Sequence, residues 1–147
     1  MDFTFSPIGL VHSPFTQPAD TPFQTSRSMA IGKVEVYPQF ADGLQDIEGL
    51  SHIILLYVFH QSSGFELLVK PLLDDRIHGV FATRYPFRPN PIGLSIVRLM
   101  GRRDNLLDVE GIDVFDGTPV LDIKPYVPEF DAKKDVKVGW YATRSEK

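Results

Sequence analysis

The sequence contains no cysteine, which excludes disulfide bonds, zinc-thiolate sites and cysteine nucleophiles. No apolar run approaches the 18 residues of a membrane-spanning helix. Residues 1–5 lack the basic and apolar regions of a secretion signal. We therefore expect a soluble, cytoplasmic protein with no membrane partner.

Common nucleotide-binding motifs are absent as well. The chain has no Gly-x-Gly-x-x-Gly segment after a strand, no phosphate loop ending in Gly-Lys-Ser/Thr and no Gly-x-Ser-x-Gly elbow. His52 and His60 are eight residues apart, so on a regular strand they would lie about 26 Å from each other. With no cysteine and no close histidine pair, we expect no metal site.

What the chain does contain is a globular composition with an uneven charge. Of its 147 residues, 43% are hydrophobic and 23% charged, and we predict a single domain over residues 1–147 without a separate C-terminal domain. The net charge is −4, yet residues 70–103 carry seven basic and two acidic side chains. A local basic surface fits nucleic-acid phosphates, or it balances acidic surfaces for solubility.

Short runs rich in Val, Ile, Phe and Tyr, bounded by Gly, Pro and Asp, predict a mainly antiparallel, all-β fold. Eight such runs favour a closed or nearly closed β-barrel with short helical turns, because closure removes exposed strand edges. The predicted strands are 6–12, 32–37, 51–61, 65–71, 79–84, 95–102, 106–114 and 120–124, with a helical turn at 45–49.

One predicted strand contains seven consecutive apolar residues, 53–59. Such a run indicates a strand that is covered on both faces. One face is expected to line the barrel core, and the other to lie under a loop or a second subunit.

The loop before residue 95 combines two arginines and an asparagine with three prolines. Proline restricts its own φ and the conformation of the preceding residue, so Arg88 and Asn90 have few backbone conformations available. A stiff loop with polar side chains, including Arg84, suits an anionic or planar ligand, because little ordering is required on binding. The alternative is an ordinary connection between strands with solvated arginines.

Two further polar clusters interrupt the β pattern. Asp116 begins an Asp-Gly-Thr-Pro turn and could cap it, whereas Asp113 precedes an apolar pair and has no such structural explanation. Asp122 and Lys124 alternate onto one face of a strand, where either an ion pair or a site would account for them.

Four blocks of residues, in order along nearly the whole chain, form an unusual combination. They are Ile8-Gly-x-x-x-Ser13-Pro14-Phe15; Ser51-His-Ile with Phe59-His60-Gln61; Gly79-Val-Phe-Ala-Thr-Arg84 with Arg88-Pro-Asn-Pro-Ile-Gly-Leu94-Ser; and Asp113-x-x-Asp116-Gly-Thr-Pro119 leading to Asp122-Ile-Lys-Pro-Tyr126. In these blocks the chain resembles the TsaA-like, or TrmO, family of tRNA methyltransferases. The Arg-Pro-Asn-Pro-Ile-Gly block is the most specific of them.

The resemblance implies a β-barrel enzyme that uses S-adenosyl-L-methionine to methylate N6 of threonylcarbamoyl-adenosine beside the anticodon of threonine tRNA. It also implies a homodimer, which agrees with the apolar run. Many bacterial members of the family add a C-terminal domain, so a single-domain version would contact tRNA through the barrel or its dimer.

The resemblance assigns the cofactor to a defined set of residues. Carried over one by one, they are Pro22, Phe23, Gln24, His60, Gln61, Arg84, Leu94, Glu110, Gly111, Ile112 and Asp113. Phe23 stands where the family has an arginine. Either Arg27 supplies the missing charge, or Arg84 and backbone donors alone hold the methionine carboxylate.

A sulfonium is already an excellent methyl donor, so such an enzyme mainly aligns donor and acceptor and removes one proton. Asp116 is the predicted base, with Asp113 as a second candidate and Asn90 as an orienting donor. The predicted tRNA contacts are Arg88, Arg98, Arg102, Arg103, Lys124 and Tyr126.

Two other functions remain open at this point. Because of Phe23, the protein could retain S-adenosylmethionine as a regulatory ligand without transferring its methyl group. It could also methylate a different nucleic acid or a small molecule.

Overall fold

A computed structural model of the chain describes residues 1–16 and 29–145. The chain forms two compact units: unit 1 contains Met1–His60 and Ile92–Tyr126, and unit 2 contains Gln61–Pro91 and Val127–Lys147. No helix in the described ranges is long and apolar enough to cross a membrane.

The described residues contain eight strands, which we number in chain order. They are β1 (Gly9–His12), β2 (Ile31–Val36), β3 (His52–Val58), β4 (Leu68–Val69), β5 (His78–Gly79), β6 (Ile92–Arg103), β7 (Leu106–Glu110) and β8 (Pro119–Pro125). Unit 1 is a closed antiparallel barrel of six of them, in the order β1-β2-β7-β6-β3-β8. The predicted all-β barrel is therefore confirmed.

Alternate residues of each barrel strand point into the core. In β3, Ile53, Leu55 and Tyr57 are buried, and β-branched side chains supply most of the remaining interior. Fully burying one such aliphatic side chain stabilises the fold by about 1.5–3 kcal/mol. The core consists of Val11, Val34, Val36, Leu44, Ile47, Ile53, Leu55, Tyr57, Val97, Leu99, Leu107, Val109, Ile112, Val114 and Val120.

The opposite face of β3 is half-buried rather than covered. Its apolar residues lie directly across from apolar residues of β6, which are 39–42% exposed. We call this surface the apolar outer face. It consists of Ile54, Leu56 and Val58 of β3 and of Ile92, Leu94 and Ile96 of β6.

The barrel closes through a short pairing of β1 with β8, in which Gly9 lies opposite Val120 and Leu10 opposite Pro119. Gly9 also pairs with Val36 of β2. A Cβ atom at position 9 would lie 2.0 Å from the backbone oxygen of Glu35. Only glycine therefore allows β1 to approach β2 this closely.

Several barrel strands begin or end at other residues than predicted. β3 stops at Val58, because the chain turns and the His60 amide bonds the Val58 carbonyl at 2.8 Å. His52 and His60 therefore do not belong to one strand. β7 stops at Glu110, because Gly111 adopts a φ of 95°. β6 is longer than predicted and begins at Ile92, directly after the last proline of the loop.

The predicted turn at 45–49 is part of a longer helical connection. Two 3₁₀ helices, Pro38–Leu44 and Ile47–Gly49, lie between β2 and β3. Leu44 and Ile47 are buried in the core, so these helices cover apolar side chains at one end of the barrel.

Unit 2 is less regular. It contains the β4–β5 pair, a 3₁₀ helix Val80–Ala82, the short helix α1 (Pro128–Asp131) and a 3₁₀ helix Gly139–Thr143. The predicted strand at 79–84 is wrong beyond Gly79. The hydroxyl and the amide of Thr83 both donate to the Val80 carbonyl, at 2.8 and 3.1 Å, and this closes a helical turn. Of the predicted strand at 65–71, only Leu68–Val69 is extended and paired.

A buried carboxylate joins the two chain segments of unit 2. Asp74 is only 1% exposed, and one of its oxygens accepts hydrogen bonds from His78 Nε2 at 2.6 Å and Arg76 Nε at 2.9 Å. Its other oxygen accepts from the backbone amide of Ser145 at 3.1 Å and from the Ser145 hydroxyl at 3.3 Å. These hydrogen bonds, with that from His78 the strongest, hold the pKa of Asp74 well below its ordinary value even though burial opposes ionisation.

We expect Asp74→Asn to destabilise unit 2 at neutral pH, because the amide cannot accept all four hydrogen bonds. The depressed pKa of Asp74 means that its contribution is complete above the unfolded pKa of about 3.9. The contribution is lost as the pH falls through the folded pKa. The gap between wild type and variant in urea midpoint should thus be full at pH 7 and shrink below about pH 4.

Trp140 is the sole tryptophan and stacks on His78 with ring centroids 4.3 Å apart, so its fluorescence reports on unit 2. Urea titrations followed by this signal at several pH values test the prediction. Asp135→Asn is a control for loss of one carboxylate, since residue 135 is exposed. Equal midpoints for wild type and Asp74→Asn at pH 7 would contradict it.

Candidate functional site

An aromatic pair at the end of β3 packs against the start of β6. The rings of Tyr57 and Phe59 meet edge to face with centroids 5.6 Å apart. A Cβ atom at position 93 would lie 2.4 Å from Tyr57 Cε1 and 2.7 Å from Phe59 Cζ. Gly93 is therefore glycine because the two rings occupy that space. His60 directly follows Phe59 and Leu94 directly follows Gly93, so this packing holds two of the predicted cofactor segments next to each other.

A line of hydrogen bonds leads from the same tyrosine to Asp113. The Tyr57 hydroxyl lies 2.8 Å from Ser95 Oγ, and Ser95 Oγ donates to Asp113 Oδ1 at 2.9 Å. Asp113 is half-buried, whereas Tyr57 and Ser95 are buried at 4% and 1% exposure. The third predicted cofactor segment is thus tied to the first two within unit 1.

Sequence reasoning did not identify Tyr57 or Ser95, although a signal was present. Every second residue of β6 points inward, namely Gly93, Ser95, Val97 and Leu99. A serine among inward apolar residues requires a hydrogen-bonding partner, because an unpaired buried hydroxyl is costly.

The segment Glu110 to Asp113 follows β7 and turns sharply. Gly111 has a φ of 95°, a conformation that favours glycine, and its amide donates to the Ala30 carbonyl at 2.9 Å. The side chain of Ile112 is fully buried in the core. Ile112 can therefore offer a ligand only its backbone, whereas Glu110 and Asp113 present carboxylates.

Asp116 has a structural partner in the segment that follows the neighbouring strand β1. Its Oδ1 accepts from the backbone amide of Ser13 at 3.0 Å, and its own amide donates to the Phe15 carbonyl at 2.8 Å. The turn itself is closed by Thr118, whose hydroxyl donates to the Phe115 carbonyl at 2.7 Å. Asp116 thus fastens residues 13–15 to this turn instead of capping it, and its side chain remains exposed.

The two arginines of the proline loop, which belongs to unit 2, differ in their surroundings. Arg88 folds back, and its Nη1 donates to the carbonyls of Thr83 and Tyr85, both at 3.0 Å. Arg84 is exposed, and within residues 1–16 and 29–145 its guanidinium has no hydrogen-bond or ion-pair partner. Arg88 therefore braces the loop, and Arg84 is available to an anion. Asn90 and Gln61 are also exposed.

Trp140 supports the same loop from the C-terminal segment of unit 2. Its indole Nε1 donates to the Ala82 carbonyl at 2.7 Å, two residues before Arg84. The ring also stacks on His78, which belongs to the Asp74 cluster, and on Tyr141. Sequence reasoning missed this contact because 58 residues separate Trp140 from Ala82.

The predicted tRNA residues of unit 1 fall into two groups. Arg98 and Arg103 have side chains 64% and 62% exposed, with weak contacts to Glu110 and Asp108. Lys124 is exposed and pairs with Asp122 at 3.0 Å, and its predicted contact with tRNA stays a prediction.

Arg102 and Tyr126 are engaged within unit 1. Arg102 Nη1 donates to the Leu44 carbonyl at 3.0 Å, and Nε donates to the Asp104 carbonyl at 2.7 Å. These bonds give Arg102 a structural role at the end of the barrel. The Tyr126 ring lies edge-on to His52, with centroids 6.5 Å apart.

Pro22, Phe23 and Gln24, together with Arg27, lie outside the described residues. Their predicted part in cofactor binding therefore stays a prediction from the sequence.

Comparison with known proteins identifies close relatives. A protein of Pyrococcus abyssi named as a probable S-adenosyl-L-methionine-binding protein is 56% identical over 137 residues, which cover 92% of this chain and 74% of that protein. The tRNA (adenine(37)-N6)-methyltransferase of Escherichia coli is 37% identical over 149 residues, covering 94% of this chain and 63% of that enzyme.

Solved structures also include similar proteins. The crystal structure of TrmO from Pseudomonas aeruginosa matches with a TM-score of 0.78 at 42% identity, over 95% of this chain and 62% of that one. The chain thus spans less than two thirds of the length of these bacterial proteins. The family model of the tRNA-methyltransferase O N-terminal domain matches residues 10–132. The chain therefore belongs to the TrmO family.

Proposed function

We propose that this protein is an S-adenosylmethionine-dependent tRNA methyltransferase. The observation that carries the proposal is the junction in unit 1 at which Tyr57 and Ser95 connect His60, Leu94 and Asp113. The resemblance assigns all three of these residues to the cofactor, and their convergence on one buried tyrosine supports that assignment.

The side chains suit the chemical groups of S-adenosylmethionine. A carboxylate such as Asp113 accepts hydrogen bonds from ribose hydroxyls or from the ammonium of the methionine part. An arginine binds a carboxylate with two parallel hydrogen bonds, and the exposed Arg84, which has no partner among the described residues, suits the methionine carboxylate. Arg84 and Gln61 belong to unit 2 and enter the proposal through the resemblance.

For the substrate we propose N6 of threonylcarbamoyl-adenosine beside the anticodon of threonine tRNA. The relative in Escherichia coli is named for methylation of adenine 37 at N6, which supports this choice. In the reaction, a bond forms between N6 and the methyl carbon while the bond from that carbon to sulfur breaks. The N6 proton leaves to a base, and S-adenosylhomocysteine is the second product.

The carbamoyl group makes this N6–H more acidic than in adenosine, so a modest base is sufficient. Asp116 remains our candidate for the base. It is exposed, and the hydrogen bond from Ser13 holds one of its oxygens in place. Asn90 is exposed on the braced loop and can orient the carbamoyl group through its amide.

The tRNA contacts are assigned to exposed cations. Arg98, Arg103 and Lys124 have side chains about 60% exposed in unit 1, so each can exchange its weak carboxylate contact for a phosphate. Because Arg88 and Arg102 use guanidinium donors within the protein, we give them bracing roles. We propose a cytoplasmic location, which a tRNA substrate supports.

A second candidate function is binding of S-adenosylmethionine without transfer. It is favoured by the names of archaeal relatives, such as the one from Pyrococcus abyssi, and by Phe23 in place of the family's arginine. Both functions use the same cofactor, so only a transfer assay separates them.

We further propose that the protein is a homodimer that buries the apolar outer face. Three cross-strand pairs of apolar residues, Ile54 with Ile96, Leu56 with Leu94 and Val58 with Ile92, form a continuous surface. A patch of this kind on a barrel exterior is typical of a protein interface.

Methyl transfer tests the main proposal. The protein is incubated with methyl-labelled S-adenosylmethionine and threonine tRNA, with and without the threonylcarbamoyl group, and the tRNA is digested to nucleosides. We expect label in threonylcarbamoyl-adenosine and none in the tRNA that lacks the group. Cofactor binding without label in either tRNA would establish the second function instead. Label in unmodified tRNA would indicate a different substrate.

Two arginine variants test whether different residues bind the cofactor and the tRNA. Removing a charged hydrogen-bond donor costs about 1.5–3 kcal/mol, so Arg84→Ala should raise the Kd for S-adenosylmethionine about 10- to 100-fold. Arg103→Ala makes the same change of charge in unit 1 and should weaken tRNA binding while leaving the cofactor Kd unchanged. Calorimetry and filter binding measure the two affinities. An equal loss of affinity for S-adenosylmethionine in both variants would refute this assignment.

A charge on the apolar outer face tests the dimer. Ile96 is 39% exposed, so Ile96→Glu should not unfold the barrel, but it would bury an unpaired carboxylate in the interface. We expect light scattering after gel filtration to give the monomer mass for Ile96→Glu and the dimer mass for wild type. Ile31→Glu, on an exposed residue of β2, is the control and should remain dimeric. A dimer of unchanged affinity for Ile96→Glu would place the interface elsewhere.

A further inference from the structure

We infer that Tyr57 and Ser95 are positioning residues for the cofactor site: their hydroxyls form a relay through the barrel interior that orients the Asp113 carboxylate toward S-adenosylmethionine. This inference rests on the proposed function. It concerns two buried residues that the family resemblance does not include among the cofactor contacts.

The relay is unusual for its surroundings. The core around it consists of aliphatic side chains from every barrel strand, and packing alone would be served by phenylalanine at position 57 and alanine at position 95. Buried hydroxyls add stability only when they are hydrogen-bonded, and one that loses its partner costs about 1–3 kcal/mol. Two buried hydroxyls are therefore a less stable filling for a core than apolar groups. Their presence is explained if they orient the Asp113 carboxylate.

The direction of the hydrogen bonds follows from proton counting. Ser95 has one hydroxyl proton, and it is donated to Asp113 Oδ1. The Tyr57 hydroxyl must then donate its own proton to Ser95 Oγ. Both donors point toward the carboxylate, so the line holds Asp113 Oδ1 in position. In a low-dielectric interior, successive hydrogen bonds of this kind strengthen one another.

The same tyrosine also sets the spacing of the neighbouring segments. Its ring fills the space above Gly93 and packs against Phe59, and these residues immediately precede Leu94 and His60. A displacement of the Tyr57 hydroxyl would therefore be accompanied by a shift of the ring on which both segments rest. The relay thus holds Asp113 at a fixed position relative to the predicted cofactor contacts His60 and Leu94. This pre-organisation lowers the entropy cost of binding.

The test measures coupling between the relay and Asp113. S-adenosylmethionine and S-adenosylhomocysteine are titrated by calorimetry into wild type, Tyr57→Phe, Ser95→Ala, Asp113→Asn and the corresponding double variants. Tyr57→Phe retains the ring over Gly93 and removes only the hydroxyl. We expect Tyr57→Phe and Ser95→Ala each to raise the cofactor Kd about 3- to 10-fold.

Non-additivity is the decisive result. Because both hydroxyls act through Asp113, adding Tyr57→Phe to Asp113→Asn should change the Kd less than twofold. The same holds for adding Tyr57→Phe to Ser95→Ala. A purely structural role would lower the melting temperature and either leave the Kd within twofold of wild type or change it by factors that multiply in the double variants. Val34→Ala, which opens a small cavity in β2, is the control for loss of stability and should leave the Kd unchanged.

Each outcome decides between the proposals. If wild type binds neither ligand, the proposed function is wrong and the relay has no cofactor to serve. If wild type binds but the single variants match it within twofold, or the effects multiply, only the relay is refuted. If Ser95→Ala does not fold, Tyr57→Phe alone and with Asp113→Asn still completes the cycle.

Discussion

Closure of the barrel is the constraint on which the rest of unit 1 depends. It requires β1 to pair with β2 on one side and β8 on the other, and at Gly9 the approach leaves no room for a Cβ atom. Closure gives each barrel strand a neighbour on both sides and fixes which strands those neighbours are. β6 consequently runs beside both β3 and β7, with Val58 opposite Ile92 and Glu110 opposite Arg98. The proposed cofactor residues His60, Leu94 and Asp113 follow the end of β3, the start of β6 and the end of β7, so the arrangement of these three follows from the order of the strands.

Two buried polar clusters among the described residues solve different problems. In the barrel, the Tyr57 and Ser95 line is neutral until it reaches the half-buried Asp113, so little charge is removed from water. In unit 2, Asp74 is itself buried, and such a charge is stable only with close partners. Arg76, His78 and Ser145 provide them. The first arrangement orients a group at a site, whereas the second fastens the C-terminal segment to the chain that precedes the proline loop.

Much of the barrel could be predicted because strand alternation is a local property. In β2 the buried Val34 and Val36 alternate with Lys33 and Glu35, and that period is visible in the sequence. The failure at Val80–Ala82 has a local cause too: an apolar triplet resembles a strand until the Thr83 hydroxyl closes a helical turn. The Asp74 cluster and the Trp140 contact could not be predicted, since they join residues about 60 to 70 positions apart.

The roles of the two loop arginines could not be predicted from residue type alone. Sequence reasoning placed Arg84 and Arg88 in one rigid loop and could not distinguish them, because which arginine folds back depends on where the loop carbonyls point. Arg88 reaches the carbonyls of Thr83 and Tyr85, which flank Arg84, and so holds the backbone of Arg84 from both sides. The prolines restrict the rest of the loop. Arg88 thus supplies rigidity, and Arg84 uses none of its donors on the part of the chain that the structure describes. An exposed arginine loses much side-chain entropy when it binds, so a backbone fixed beforehand leaves only the side chain to be ordered.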